Sequence, residues 1–222
     1  KIRSGEIPSG RVKKKDLEFR NKFVDCGYDT KVADKVKDVF DGNIFIDGTR
    51  GIVQINEILE MVMDMFEDVM KSGGLAGEPC FGIKVTLDDV KLHEDAIHRG
   101  PAQMYPAVRD GIREAMRQAK PMLFEPVQTL QFESPEEYMG EISKLISNKR
   151  GQLLDMEQKG ATVSVKGKIP VAEMFGIASD LRSSTGGRGT SSVVAQDFEK
   201  LPEELQSKIQ QQIKSRKGMK TD

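Results

Sequence analysis

The chain has 222 residues, of which 37% are hydrophobic and 31% charged, and its formal net charge is -1. This balance is typical of globular domains, and the length is enough for two of modest size, so a disordered chain is excluded. There is no apolar run near the roughly 18 residues that span a bilayer and no charged-then-apolar leader, so we expect a cytosolic protein without a membrane partner. Cys26 and Cys80 lack the close spacing of a disulfide framework or a zinc site.

Both ends of the chain are basic. Residues 1–22 carry eight Lys or Arg against three acids, and residues 206–220 carry five bases and no acid. Such runs neutralise nucleic-acid phosphates, but they are also common as plain solvated surface. The residues before position 11 lack an initiator Met and show little periodicity, which suggests a piece of a longer protein or a processed start.

Two short amphipathic helices are predicted between residues 17 and 40, broken at Gly27. The second, capped by Asp29 or Thr30, is expected to reach Phe40. This region should therefore be mainly helical.

A short strand and a longer helix follow. Ile44-Phe45-Ile46 lies between glycines and is a strand candidate. Apolar residues then fall on one stripe of a helix between Ile55 and Val69, which Gly73-Gly74 ends. The stripe is typical of a buried helix face.

The segment Leu92-His93-Glu94-Asp95-Ala96-Ile97-His98-Arg99-Gly100 contains both histidines of the chain. Before it, the alternating apolar residues of 81–87 predict a strand with one buried face. After it, Pro101 opens a predicted helix with arginines at 109, 113 and 117 on one face. The segment is thus a polar strand-to-helix loop, which is either an ordinary surface turn or a functional loop on a rigid support.

The second half predicts an alternation of strands and helices. Ser134-Pro135-Glu136-Glu137 is a strong helix start, with a side-chain cap, a proline and two acids. The predicted elements, in order, are a strand at 127–132, a helix from 134, a hairpin of 151–158 and 161–169, a helix at 171–181 and a strand at 190–198. This βαββαβ order is that of a ferredoxin-like domain, so the expected fold class is α+β.

The loop 92–100 closely resembles the tip loop of domain IV in archaeal and eukaryal elongation factor 2, the family of GTP-driven ribosomal translocases. In that family the second histidine of the loop is converted to diphthamide, and the matching residue is His98. The resemblance implies that the loop enters the ribosomal A site against tRNA and mRNA, with Arg99 contacting phosphate. The implied contact residues are His93, Asp95, Ile97, His98 and Arg99.

The second half is similar to domain V of the same translocases, and of bacterial elongation factor G. The matching segments are Glu125-Pro126, Ser134 to Gly140, Asn148 to Gly151, Glu173 to Gly176 and Asp180 to Ser183. Together the matches cover most of residues 11–200, and Pro101-Ala102-Gln103 looks archaeal rather than eukaryal.

The resemblance implies three regions. These are a βαβ-type domain IV at 1–124, expected to lack its N-terminal strand, a ferredoxin-like domain V at 125–200, and a basic C-terminal helix or tail at 201–222. A missing strand would leave a sheet edge unpaired. Domain V is expected to contact ribosomal RNA, for which Arg182 and Arg188 are candidates; they are equally well read as solvated loop arginines.

No GTP-binding motif is recognisable in this sequence. GxxxxGK[ST] is absent, the glycine-rich run 183–189 lacks the required Lys-Ser/Thr, and Asn21 to Asp25 has one residue too many for NKxD. We therefore expect no enzymatic activity from this chain, with GTP and Mg²⁺ bound by a G domain of the intact factor. Other implied partners are the diphthamide synthesis enzymes and, for the modified form, ADP-ribosylating toxins.

Several alternatives remain open. His93, Asp95 and His98 are a possible iron or zinc ligand set, although no helical spacing brings the imidazoles together. A Ser-His-Asp hydrolase lacks a nucleophile-elbow motif. The remaining classes are a self-standing RNA-binding or ribosome-associated protein and a translational or spliceosomal GTPase relative without the modification.

Overall fold

The computed structural model describes residues 1–2, 4–13 and 16–220, which form two compact units. Unit 1 comprises Lys1–Pro121 with Ile209–Asp222, and unit 2 comprises Met122–Lys208. The basic residues Arg3, Lys14 and Lys15 of the predicted N-terminal run lie outside the described residues, as do the last two residues of the predicted tail. Within the described ranges no helix is long and apolar enough to cross a membrane.

Unit 1 is a four-stranded sheet with helices on both faces. The strands lie in the order β1-β2-β3-β4; the β1-β2 and β2-β3 pairs are antiparallel, and the β3-β4 pair is parallel. A parallel pair needs a long crossover, and α3 supplies it. The elements are β1 Gly10–Arg11, α1 Leu17–Val24, α2 Thr30–Ala33, β2 Val36–Phe40, β3 Asn43–Asp47, α3 Ile55–Lys71, β4 Lys84–Leu87 and α4 Pro101–Gln118.

The predicted second helix is wrong beyond Ala33, because residues 36–40 form strand β2. The cause is a tight hairpin: Asp41 and Gly42 both have positive φ, 45° and 84°, and Phe40 pairs with Asn43. Two positive φ angles at an Asp-Gly pair are typical of the hairpin turn that matches strand twist. Asp29 does cap α2, by accepting a hydrogen bond from the Lys31 N–H.

Strand β3 divides the core of unit 1 between the two faces of its sheet. Phe45 packs with α3 and α4, whereas Ile44 and Ile46 pack with α1 and α2. The predicted stripe of α3 is confirmed, since Ile58, Val62, Met63, Phe66, Val69 and Met70 are all buried. The alternation along one short strand therefore serves two apolar clusters.

A carboxylate is buried in the same unit. Asp38 on β2 is fully buried, and its Oδ2 lies 2.7 Å from Nη1 of Arg11, while its Oδ1 has no hydrogen-bond partner. Burial raises the pKa of Asp38 to about 6, although the Arg11 cation acts in the opposite direction. Arg11 also pairs with Asp64 and Glu67 of α3.

Unit 2 confirms the ferredoxin-like prediction and the α+β class. Its strands lie in the order β6-β7-β5-β8, all antiparallel to their neighbours, and α5 and α6 pack with its core. The elements are β5 Phe124–Pro135, α5 Met139–Asn148, β6 Gln152–Lys159, β7 Thr162–Pro170, α6 Ile177–Ser184 and β8 Thr190–Lys200. A last helix, α7 Glu203–Arg216, divides its residues between the two units.

Two helix starts in unit 2 differ from prediction. Ser134 is still in β5 and its hydroxyl donates to the Pro135 carbonyl, so it caps nothing; a 3-10 turn at Glu136–Tyr138 precedes α5. The predicted helix 171–181 is broken into a 3-10 turn at Val171–Glu173 and α6. Gly176 has φ of 79°, a left-handed conformation that a continuous helix does not contain.

Candidate functional site

The loop of residues 92–100 connects β4 to α4 and is exposed along most of its length. Residues 93–98 are all exposed, and the Ile97 side chain keeps 73% of its area in solvent. A short 3-10 turn, Ala96–His98, lies at its centre, and Oδ1 of Asp95 caps it by accepting from the Ile97 N–H at 3.1 Å. The expected exposed loop is present, and it has an ordered internal structure.

The two histidine rings meet within this loop. Their centroids lie 4.5 Å apart with an angle of 67° between the planes, an edge-to-face arrangement. Nδ1 of His93 accepts a hydrogen bond from the Asp95 N–H at 3.1 Å, which orients the ring. Sequence spacing gave no reason for the rings to approach; the reversal of the chain at residues 94–97 brings them together.

Arg99 lies in a different environment from the one expected of a phosphate-binding residue. Only 9% of it is exposed, and its guanidinium faces the protein rather than solvent. Nη1 donates to the carbonyls of His93 and Glu94, both at 2.7 Å, while Nε and Nη2 donate to Oε2 of Glu57 at 3.1 and 2.8 Å. Four of its five N–H groups are therefore used inside the protein, and the phosphate contact by Arg99 stays a prediction.

Glu57 is the residue that sequence reasoning missed. It lies in the first turn of α3, 42 positions before Arg99, and no local pattern connects the two. We call Arg99, Glu57 and the carbonyls of His93 and Glu94 the Arg99 network. The network joins the beginning of the loop, its end and a long buried helix.

A mostly apolar cavity lies beside the incoming end of the loop. It has a volume of about 420 Å³ and is lined by β4, residues 88–92, α3 and α4. Leu92, the first residue of the loop, is part of that lining. Leu92 also packs against the apolar cluster of α3 and α4, so apolar contacts hold the incoming end of the loop as far as this residue.

The structure offers no metal site at the loop. Within residues 1–2, 4–13 and 16–220, no group of three or more His, Cys, Asp or Glu side chains is placed to hold a metal ion. The Asp95 carboxylate instead caps the 3-10 turn, and one imidazole nitrogen of His93 accepts a backbone hydrogen bond. The iron or zinc hypothesis consequently gains no support.

The arginines predicted for RNA contact lie in unit 2, near a glycine-rich turn. Arg188 stacks over the Tyr138 ring at 4.8 Å, donates to its hydroxyl, and pairs with Glu137 at 2.6 Å, yet its side chain is 56% exposed. The hydrogen bond to Tyr138 raises the pKa of Arg188, as does Glu137. Arg182 is exposed in the last turn of α6. Both arginines remain surface groups, as a contact role requires.

Thr185 fixes the shape of that turn. It is fully buried; its Oγ1 donates to the Leu181 carbonyl at 2.6 Å and accepts from the Gly189 N–H at 2.8 Å. Gly186 and Gly187 have φ of 56° and 79°, values that favour glycine. The turn is thus built from a threonine hydroxyl and left-handed glycines, without a buried charge.

Known proteins match the chain along nearly its whole length. Two protein-family models apply, "Elongation factor G, domain IV" at residues 6–120 and "Elongation factor G C-terminus" at residues 122–219. Elongation factor 2 of Methanococcus aeolicus is 47% identical over 210 residues, which are 95% of the chain and 29% of that protein. Elongation factor 2 of Methanocaldococcus jannaschii is 45% identical over 221 residues, 99% of the chain and 30% of that protein. The chain therefore spans about 30% of the length of the curated relatives that it matches.

Proposed function

The chain belongs to the family of elongation factor G domain IV and the elongation factor G C-terminus, and from this premise we propose that it is the part of an archaeal elongation factor 2 that enters the ribosomal A site during translocation. The observation that carries the proposal is the ordered, exposed loop 92–100, which holds both histidines at its surface. The relatives support it, since those named are archaeal elongation factors 2.

In this proposal His98 is the functional centre of the loop. It is exposed and lies within the central 3-10 turn, where a modifying enzyme or an RNA groove can reach it. Diphthamide at His98, as the loop resemblance implies, would add a permanent cation and an amide to the tip. His93, Asp95 and Ile97 would shape the surface around it, and Glu94 and Asp95 would limit indiscriminate binding to RNA.

The remaining parts of the proposal follow from the intact factor. GTP and Mg²⁺ would bind a G domain outside this chain, and the loop would act mechanically, by preventing return of the tRNA and mRNA. Partners would be the ribosome, the diphthamide synthesis enzymes and ADP-ribosylating toxins, in the cytoplasm. Unit 2 would contact ribosomal RNA, with Arg182 and Arg188 as exposed candidates.

The experiment is His98→Ala in the intact factor, with Lys91→Ala as a control just outside the loop. We expect translocation to slow by about tenfold, the scale on which misplaced or missing contacts act, with thermal stability unchanged because His98 is exposed. Tandem mass spectrometry of residues 92–99 from the native host should locate the adduct on His98. If the His98→Ala variant translocates at the wild-type rate, the proposal is rejected. If His98 carries no adduct in the native protein, the diphthamide part of the proposal is rejected.

A self-standing RNA-binding protein is the alternative class, and the gene distinguishes it. A reading frame that continues upstream of Lys1 into GxxxxGK[ST] supports the translocase, whereas a start codon immediately before Lys1 contradicts it. This test needs one sequencing run and should be done before any kinetic measurement.

A further inference from the structure

The Arg99 network closes the tip loop from inside. Arg99 stands at the end of the loop, and Nη1 reaches back to the carbonyls of His93 and Glu94 at its beginning. The residues between them, 95–98, are exposed, as are His93 and Glu94 themselves. One guanidinium sets the distance between the two ends of the loop.

Glu57 sets the position of that guanidinium. Its Oε2 accepts from both Nε and Nη2, which leaves Nη1 aimed at the two carbonyls. A guanidinium is planar and rigid, so orienting two of its nitrogens orients the third. Because α3 is anchored by six buried side chains, the carboxylate has a fixed base.

Packing does not replace this charge pair. The incoming end of the loop packs against the core as far as Leu92, beside the apolar cavity of about 420 Å³, whereas residues 93–98 are all exposed. The Glu57 side chain is itself 53% exposed, so its contribution to the global stability of unit 1 is small. The pair is thus better suited to fixing local geometry than to holding the domain together.

The geometry reaches the histidines through the backbone. Holding the carbonyls of His93 and Glu94 fixes the peptide from which His93 projects, and the Asp95 N–H then holds the His93 ring. The ring of His98 packs against that ring at 4.5 Å. A change at Glu57 is thereby transmitted to His98 without any direct contact.

We propose that Glu57 is a positioning residue of the tip: through Arg99 it fixes the orientation of His98 for its modification and for its work on the ribosome. This inference rests on the proposed function and names a residue of α3, outside the loop, as part of the site. Its role is to organise the loop before binding, which reduces the entropy lost on insertion.

The test compares Glu57→Gln and Glu57→Ala with Glu60→Gln, a neighbouring α3 acid whose side chain is 76% exposed. Nuclear Overhauser contacts between the two imidazoles in the 222-residue chain report the geometry. We expect them to persist in wild type and Glu60→Gln, weaken in Glu57→Gln, which keeps an acceptor, and vanish in Glu57→Ala. The rate of His98 modification by diphthamide synthesis enzymes should fall in the same order, by about tenfold for Glu57→Ala.

The outcomes separate the two proposals. Unchanged ring contacts and modification rate in Glu57→Ala overturn the positioning role and leave the tip function intact. If His98→Ala translocates normally, the proposed function fails, while loss of the ring contacts in Glu57→Ala would still establish the geometry. If Glu57→Ala does not fold, as judged by hydrogen exchange in α3, Arg99→Lys replaces it; one ammonium cannot reproduce the four guanidinium bonds, so wild-type ring contacts would overturn the inference.

Discussion

The two units keep their charges in different places. Unit 1 buries Asp38, Asn43 and Arg99, whereas in the described residues of unit 2 the buried polar side chains are the hydroxyls of Ser134 and Thr185. Ion pairs of unit 2, such as Lys144 with Glu141 and Arg188 with Glu137, lie at the surface, and the Arg150–Glu125 pair is half-buried. A ferredoxin-like core is held by apolar packing, but the loop-bearing unit also depends on directional polar contacts. The unit that carries the candidate tip therefore has buried charged and amide side chains that need hydrogen-bond partners, whereas the other unit buries only hydroxyls among its described residues.

The largest expected effect concerns the buried carboxylate of unit 1. Because burial raises the pKa of Asp38 to about 6 from a usual 3.8, the folded state binds a proton that the unfolded state has released. The stability of unit 1 should therefore fall by about 3 kcal/mol as pH rises from about 3 to about 7, mostly between about 4 and 6, and this residue should add little slope above about 7. Amide hydrogen exchange in α3, followed as a function of pH, measures this loss of stability. Asp38→Asn should flatten the curve relative to Asp64→Asn, and equal slopes in the two variants would contradict the assignment.

The next effect contrasts the two arginines. Arg99→Ala removes four hydrogen bonds from a nearly buried group and should destabilise unit 1 by about 2 kcal/mol. Arg188→Ala loses an exposed ion pair and a ring contact, and should change the stability of unit 2 far less than Arg99→Ala changes that of unit 1. The urea dependence of amide hydrogen exchange measures the stability of each unit separately. Equal losses of stability in the two variants would contradict the expectation that the more buried arginine contributes more.

The smallest expected effect tests whether a buried hydroxyl stabilises unit 2, as buried charged groups stabilise unit 1. Thr185→Val keeps the shape of the side chain but leaves the Gly189 N–H without its partner, so unit 2 should lose about 1 kcal/mol. Thr190→Val, on the exposed strand β8, is the matched control and should cost little. The midpoint of thermal unfolding is the readout. A cost as small as the control's would show that the turn is held by its glycines alone.

Sequence reasoning succeeded where the signal was periodic. The stripe on α3 and the alternation along β7 were predicted because burial repeats every turn of a helix or every second residue of a strand. It failed at Val36 to Phe40, where the Asp41-Gly42 turn was the informative signal and valines at helical spacing were misleading. Local geometry at Gly176 likewise interrupted an expected helix.

The candidate site was predicted only in part, for a physical reason. The loop and its histidines are contiguous in sequence, so a motif could identify them. The Arg99–Glu57 pair joins residues 42 positions apart, and whether a cation faces solvent or the core depends on such a partner. An arginine in an exposed loop is normally a surface group, and nothing near Arg99 in the sequence distinguishes it from Arg188.

The inward side chain of Arg99 also affects how proteases meet the loop. Arg99 is the sole lysine or arginine of residues 92–100, and trypsin must draw a cationic side chain into an acidic pocket before it can cut the bond that follows. The guanidinium is held by Glu57 and two carbonyls. The bond between Arg99 and Gly100 therefore lies next to an exposed loop, but the side chain that trypsin must bind is not accessible to it. The exposed loop is thereby shielded at the peptide bond where its sequence looks most vulnerable.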